Sequence, residues 1–104
     1  MNRKFVIKKG DTNPPLQVQI FNPDGSPRDL SGQAVTFKMQ EPGQAVKVSR
    51  AAVPVMASQG IVEQQWQAAD TNASGQYRGV FIINGNDTFP KEGFINIFVE
   101  DTVA

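Results

Sequence analysis

The stretch Phe21-Asn22-Pro23-Asp24-Gly25-Ser26-Pro27-Arg28-Asp29-Leu30-Ser31-Gly32, followed by Ala34-Val35-Thr36-Phe37-Lys38-Met39, decides the fold class of this chain. Pro23-Asp24-Gly25 is turn chemistry, because proline presets φ and glycine accepts a positive φ. Behind the turn the side chains alternate, with Val35, Phe37 and Met39 on one face and Thr36, Lys38 and Gln40 on the other. A period of two marks a strand with one buried face. A tight turn feeding a half-buried strand announces a β-sandwich, and no motif in the stretch reports an activity.

Outward from here the pattern repeats. Short apolar runs, punctuated by Gly, Pro, Asn and Asp, predict strands near residues 4–8, 16–21, 34–40, 45–53, 61–67, 76–84 and 94–100. This spacing predicts an all-β fold, an immunoglobulin-like (Ig-like) antiparallel β-sandwich of about seven strands. One such domain is expected to fill residues 1–104. Glu41-Pro42-Gly43-Gln44 and Asn84-Gly85-Asn86-Asp87 read as hairpin turns, and Phe89-Pro90 as a further break. The continuous run Val80-Phe81-Ile82-Ile83 predicts a strand buried on both faces. In the last strand Ile95, Ile97 and Val99 form the core set, with Phe98 partly covered. A short helical turn fits residues 67–72. Gly75-Gln76-Tyr77, following Asp70, looks like a tyrosine corner, in which a hydroxyl bonds back to upstream backbone. Tyr77, Gly75 and Gly25 are therefore assigned structural roles.

Composition removes several classes of function. Ten basic and ten acidic side chains cancel, so the concentrated positive surface that a nucleic-acid binder needs is not expected. There is no cysteine and no histidine, which removes disulfides, thiolate metal sites and the commonest general base. The apolar stretch Phe5-Val6-Ile7 is far shorter than the roughly 7–15 residues of a secretion signal's core. No run approaches the ~20 apolar residues of a membrane span, so a soluble product made in the cytoplasm is expected, with no membrane partner. Arg3, Lys4, Lys8 and Lys9 form one local basic excess, in keeping with a charged edge strand.

Candidate chemistry reads as turn chemistry. Ser26, Ser31, Ser49, Ser58 and Ser74 have no histidine to activate them, and most carboxylates sit beside turn residues. Asp24 and Asp29 flank one loop, and Asn84, Asn86 and Asp87 another, without the order of an EF-hand. No catalytic residue, metal or cofactor is expected. One Trp and one Tyr are a thin supply for a sugar-stacking platform. Trp66 is the aromatic best placed for an interface or ligand contact.

The segments Asp24 to Gly32 with Val35-Thr36-Phe37, then Gly75-Gln76-Tyr77-Arg78-Gly79-Val80-Phe81, then Thr88-Phe89-Pro90 with Gly93-Phe94-Ile95-Asn96-Ile97, occur in that order. In this the chain resembles the N-terminal domain of phage baseplate upper proteins and related small tail proteins. The resemblance implies an Ig-like sandwich without catalytic residues, which attaches a larger protein to the baseplate core or tail. Family members continue into a helical linker and a trimer-forming region that these 104 residues lack. What carries over is docking: a non-enzymatic structural protein of a tailed phage or prophage, located in the virion. Its expected partners are other tail or baseplate proteins and further copies of itself. The expected surfaces are the loop 22–31 with Asp24, Arg28 and Asp29, the face around Trp66, and the basic first strand. The alternatives are a carbohydrate-binding or adhesion module that holds a host glycan, which is not favoured, and a capsid-decoration domain.

Overall fold

The computed structural model describes residues 3–91 and 93–101, with Arg3 by its backbone. The strands, in chain order, are β1 (Arg3–Lys8), β2 (Leu16–Gln19), β3 (Val35–Gln40), β4 (Val46–Ala51), β5 (Val53–Met56), β6 (Ile61–Gln64), β7 (Gly75–Ile83), β8 (Asp87–Phe89) and β9 (Ile95–Glu100). Short 3-10 turns at Ala57–Gln59 and Ala68–Thr71 are the helical segments of the described residues. The second falls where the sequence predicts a helical turn.

The strands form two sheets. The larger runs β1-β9-β7-β3-β4, with β8 beside the far half of β7, and the smaller runs β2-β6-β5. Inward side chains of both sheets meet in one core, to which β2 and β6 bring Leu16, Val18 and Val62. Two facing sheets around one shared core make the fold an all-β sandwich. The pairings are antiparallel except β1 with β9, which run parallel in the register Arg3↔Ile95 to Lys8↔Glu100. The purely antiparallel expectation is corrected here. No hairpin joins these two strands, so nothing in the local chain dictates their direction.

Alternation places the core. Val35, Phe37 and Met39 point inward from β3, and Ile95, Ile97 and Val99 from β9, with Phe98 half-buried, as the sequence predicts. Strand β7 does not follow its expectation. Phe81 and Ile83 are buried, but Val80 and Ile82 are only half-buried on the outer face. Nothing in the described chain packs over that face, so an apolar run is not a doubly covered strand. The predicted strand 45–53 is also two strands in different sheets. The chain crosses at Ala52, whose N–H donates to the Val35 carbonyl at 2.8 Å. Strand β8 escaped the sequence reading because only three residues separate its turn from Pro90.

A polar corner closes one end of the sandwich. The Tyr77 hydroxyl, 1 % exposed as a residue, donates to the Ala73 carbonyl at 2.8 Å. Arg50 grips Asp70 with two hydrogen bonds of 2.5 and 2.9 Å, and the Gln67 N–H donates to the same carboxylate at 2.8 Å. Burial alone raises the Asp70 pKa, but the Arg50 and Gln67 hydrogen bonds and the charges of Arg50 and Lys47 outweigh it and lower the pKa. The Thr71 hydroxyl donates to the Asp11 carbonyl at 2.9 Å, which stitches the β1–β2 connection to the same corner.

One buried group stands apart. Gln64 on β6 has no exposed surface, and none of the described residues bonds its amide nitrogen or oxygen. Leaving a buried amide unpaired costs roughly 1–3 kcal/mol.

Gln64→Met keeps the volume and removes the amide, so thermal melting should rise by an amount corresponding to about 1 kcal/mol or more. A lower melting temperature would show that the amide is hydrogen-bonded in solution. Tyr77→Phe should lower stability by about 0.5–1.5 kcal/mol, read as a lower urea midpoint at unchanged slope. An unmoved midpoint would remove any stabilising role for the hydroxyl.

Candidate docking surfaces

The loop 22–31 is built on its own backbone. Gly25, at φ 91°, donates its N–H to the Asn22 carbonyl at 2.9 Å, and Asn22 donates to the Ser26 carbonyl at 2.8 Å. The Asp24 carboxylate accepts the Ser26 hydroxyl at 2.6 Å and the Ser26 N–H at 2.9 Å, and these bonds hold its pKa below the usual carboxylate range. Hydrogen bonds from Ser31, from its hydroxyl and then its N–H, do the same for Asp29. At the root of the loop, Arg28 N–H donates to the Ile20 carbonyl and Ile20 N–H to that of Gly60. Gly60, at φ 76°, permits this closeness. A Cβ there would lie 2.4 Å from the Ile20 oxygen and 2.8 Å from the Arg28 oxygen.

The structure joins this loop to the β7–β8 turn. Asn84 and Gly85 take left-handed backbone, φ 52° and 74°, as the Asn-Gly signal implies. The turn delivers Asp87 to Arg28, and Lys91 holds the other carboxylate oxygen of Asp87. The Lys91 hydrogen bond, followed by that from Arg28, pulls the Asp87 pKa down to about 2. Arg28 is therefore half-buried and engaged internally, whereas Asp24 and Asp29 are exposed. Of the residues assigned structural roles, Gly75 opens β7 opposite Val99 with φ 153°.

Trp66 is a correction. It is 5 % exposed, stacked on Phe5 at 5.8 Å and met edge-on by Phe37 at 5.7 Å. Its place two residues after Gln64 on the inward side of the chain sends the ring into the core. A polar cleft lined by Thr12, Asn13, Pro15, Glu63 and Gln65 also touches Trp66. The two aromatic neighbours nonetheless occupy the ring that a sugar would need.

Two surfaces were not singled out in the sequence. Val53, Val55 and Met56 on edge strand β5 are 37 %, 49 % and 53 % exposed. Beside them lies a cleft of about 100 Å³ lined by Leu30, Gln33, Val35, Ala52, Pro54 and Val62, among others. The signal was Pro54 inside an apolar run, which marks an edge strand and withholds an N–H from that edge. The second surface is the outer face of the larger sheet. Register aligns Lys4, Asn96, Arg78 and Gln40 across four strands, with Val80 and Lys38 opposite each other in the next row. Lys4 lies over the Phe98 ring at 5.2 Å and Arg78 over Phe94 at 4.3 Å. The expected basic first strand thus joins a larger cationic and aromatic face.

Among the described residues, no group of three or more Asp or Glu is placed to hold a metal ion, and no helix is long and apolar enough to cross a membrane. No protein-family model matches this chain, and a search of curated proteins finds no significant match.

The Asp87 carboxyl should titrate near pH 2, as followed by the NMR shift of its carboxyl carbon. Lys91→Ala should raise that midpoint more than Arg28→Ala. Because the folded pKa is depressed, the bridge contributes its full stability above the ordinary carboxylate pKa of about 3.9 and loses it as pH falls toward 2. A midpoint near 4 in the unaltered protein would mean the loops are not bridged.

Proposed function

We propose that this chain is a non-enzymatic docking protein of a tailed phage or prophage, a tail or baseplate component that holds other virion proteins. The observation that carries this reading is the uncovered outer face of the larger sheet. It presents half-buried Phe94, Phe98, Val80 and Ile82 among exposed cations, and no described strand or helix forms a layer over it. Aromatic and arginine side chains on an open, flat surface suit protein contact. The turn-and-strand resemblance to phage baseplate upper proteins points the same way and supplies the setting. The internal ion pairs Arg50–Asp70 and Arg28–Asp87 add support, since they use part-buried charge for holding loops. Occlusion of Trp66 weakens the glycan-binding alternative, whose stacking ring it would have been.

Mass spectrometry of density-purified particles, induced from the strain that carries the gene, tests the setting. Peptides of this chain at many copies per particle are expected. Their absence, with other tail proteins present, would overturn the virion assignment.

A further inference from the structure

The two outer faces of the sandwich carry opposite electrostatic character. Among the described residues, Lys4, Lys38 and Arg78 on the larger sheet have no carboxylate partner. The outward acid of β9, Glu100, is engaged by Lys8 at 3.3 Å. On the smaller sheet, register aligns Gln17, Glu63 and Val53 across the three strands. Glu63 there receives the Gln65 amide at 2.9 Å and the Gln17 amide at 3.5 Å but, among the described residues, no cation. Asp24 and Asp29, in the loop that leaves β2, also have no cationic partner among the described residues. The outer face of the larger sheet thus offers three cations, and that of the smaller sheet the single carboxylate Glu63.

We infer that the outer face of the larger sheet docks the outer face of the smaller sheet of a second copy of this chain. Each face has an apolar part, Val80, Phe94 and Phe98 on one and Val53, Ile61 and Met56 on the other, so contact also removes apolar surface from water. Two copies of the larger sheet do not fit each other, because Lys4, Lys38 and Arg78 would meet like charges. Pairing unlike faces is heterologous and leaves one face of each copy open, so it propagates into a ring or a stack. Three strands, each of four residues and spaced about 4.8 Å, give a contact of about 200 Å² per copy. That is well below the ~800 Å² of a standard interface, so the pair is weak alone and gains from many copies held together. This inference deepens the docking reading by naming a partner, and it rests on that reading only for the local concentration.

The test is a series of ¹⁵N-correlation NMR spectra of the purified protein from about 0.05 to about 1 mM, the range that reports a weak contact. Shifts should move on both outer faces, around Arg78 and Lys38 and around Glu63, and revert when salt is raised to about 0.5 M. The double variant Lys38→Glu, Arg78→Glu should lose the concentration dependence several-fold, and so should Glu63→Lys. Well-dispersed spectra of each would verify folding. Mixing the two variants should restore shifts, since the reversed faces complement each other and each variant also keeps the native face that the other has lost. Shifts confined to one face, to β5 or to none at 1 mM, or a mixture that restores nothing, would overturn the inference. None of these outcomes bears on whether the chain is found in particles.

Discussion

Everything in this fold depends on how the chain passes from the central strand of one sheet into the middle of the other between Trp66 and Tyr77. A connection of that kind carries backbone and side-chain polar groups through the end of a hydrophobic core, where each must find a partner. Here the partners come from far along the chain. Arg50 arrives from an edge strand to hold Asp70, Thr71 reaches the carbonyl of Asp11, and Tyr77 turns its hydroxyl back to Ala73. Once that corner is closed, β7 lies between β9 and β3, and both sheets share a single interior. The remaining loops have only to stay short.

The contrast between the two ends of the sandwich is instructive. At the corner, a carboxylate is nearly removed from water and is kept ionised by a bidentate guanidinium and a backbone N–H. At the other end, Asp87 collects Arg28 and Lys91 while remaining in reach of water. Ion pairs that stay in reach of water add little to stability but can fix where a loop sits. The loop 22–31 is thus positioned by charge at its root and by its own Asx-type hydrogen bonds at its tip.

Much of this was legible in the sequence because strands with one wet face advertise themselves. Residues 35–40 and 95–99 alternate without interruption, and burial follows the alternation. Tyr77 was readable as a corner, since a tyrosine just after a glycine at the start of a late strand has few other uses there. The failures share a cause. Whether Val80 and Ile82 are covered, or whether Trp66 faces outward, depends on what the rest of the chain places nearby, and local pattern carries no such information. The same holds for Ala52, where the apolar run Ala51-Ala52-Val53 conceals a change of sheet. The cationic face is a still clearer case. Lys4, Lys38 and Arg78 are dispersed in the sequence, and only the registers of β1, β9, β7 and β3 set them on one surface.

The parallel pairing of β1 with β9 also determines how the domain would respond to tension. Arg3 lies beside Ile95 and Lys8 beside Glu100, so the described chain starts at one end of this ladder and leaves from the other. Pulling Arg3 and Glu100 apart therefore slides the two strands along each other, straining their hydrogen bonds together instead of peeling them off singly. A module stretched between neighbours in a filament or a sheath would meet that force with its strongest geometry.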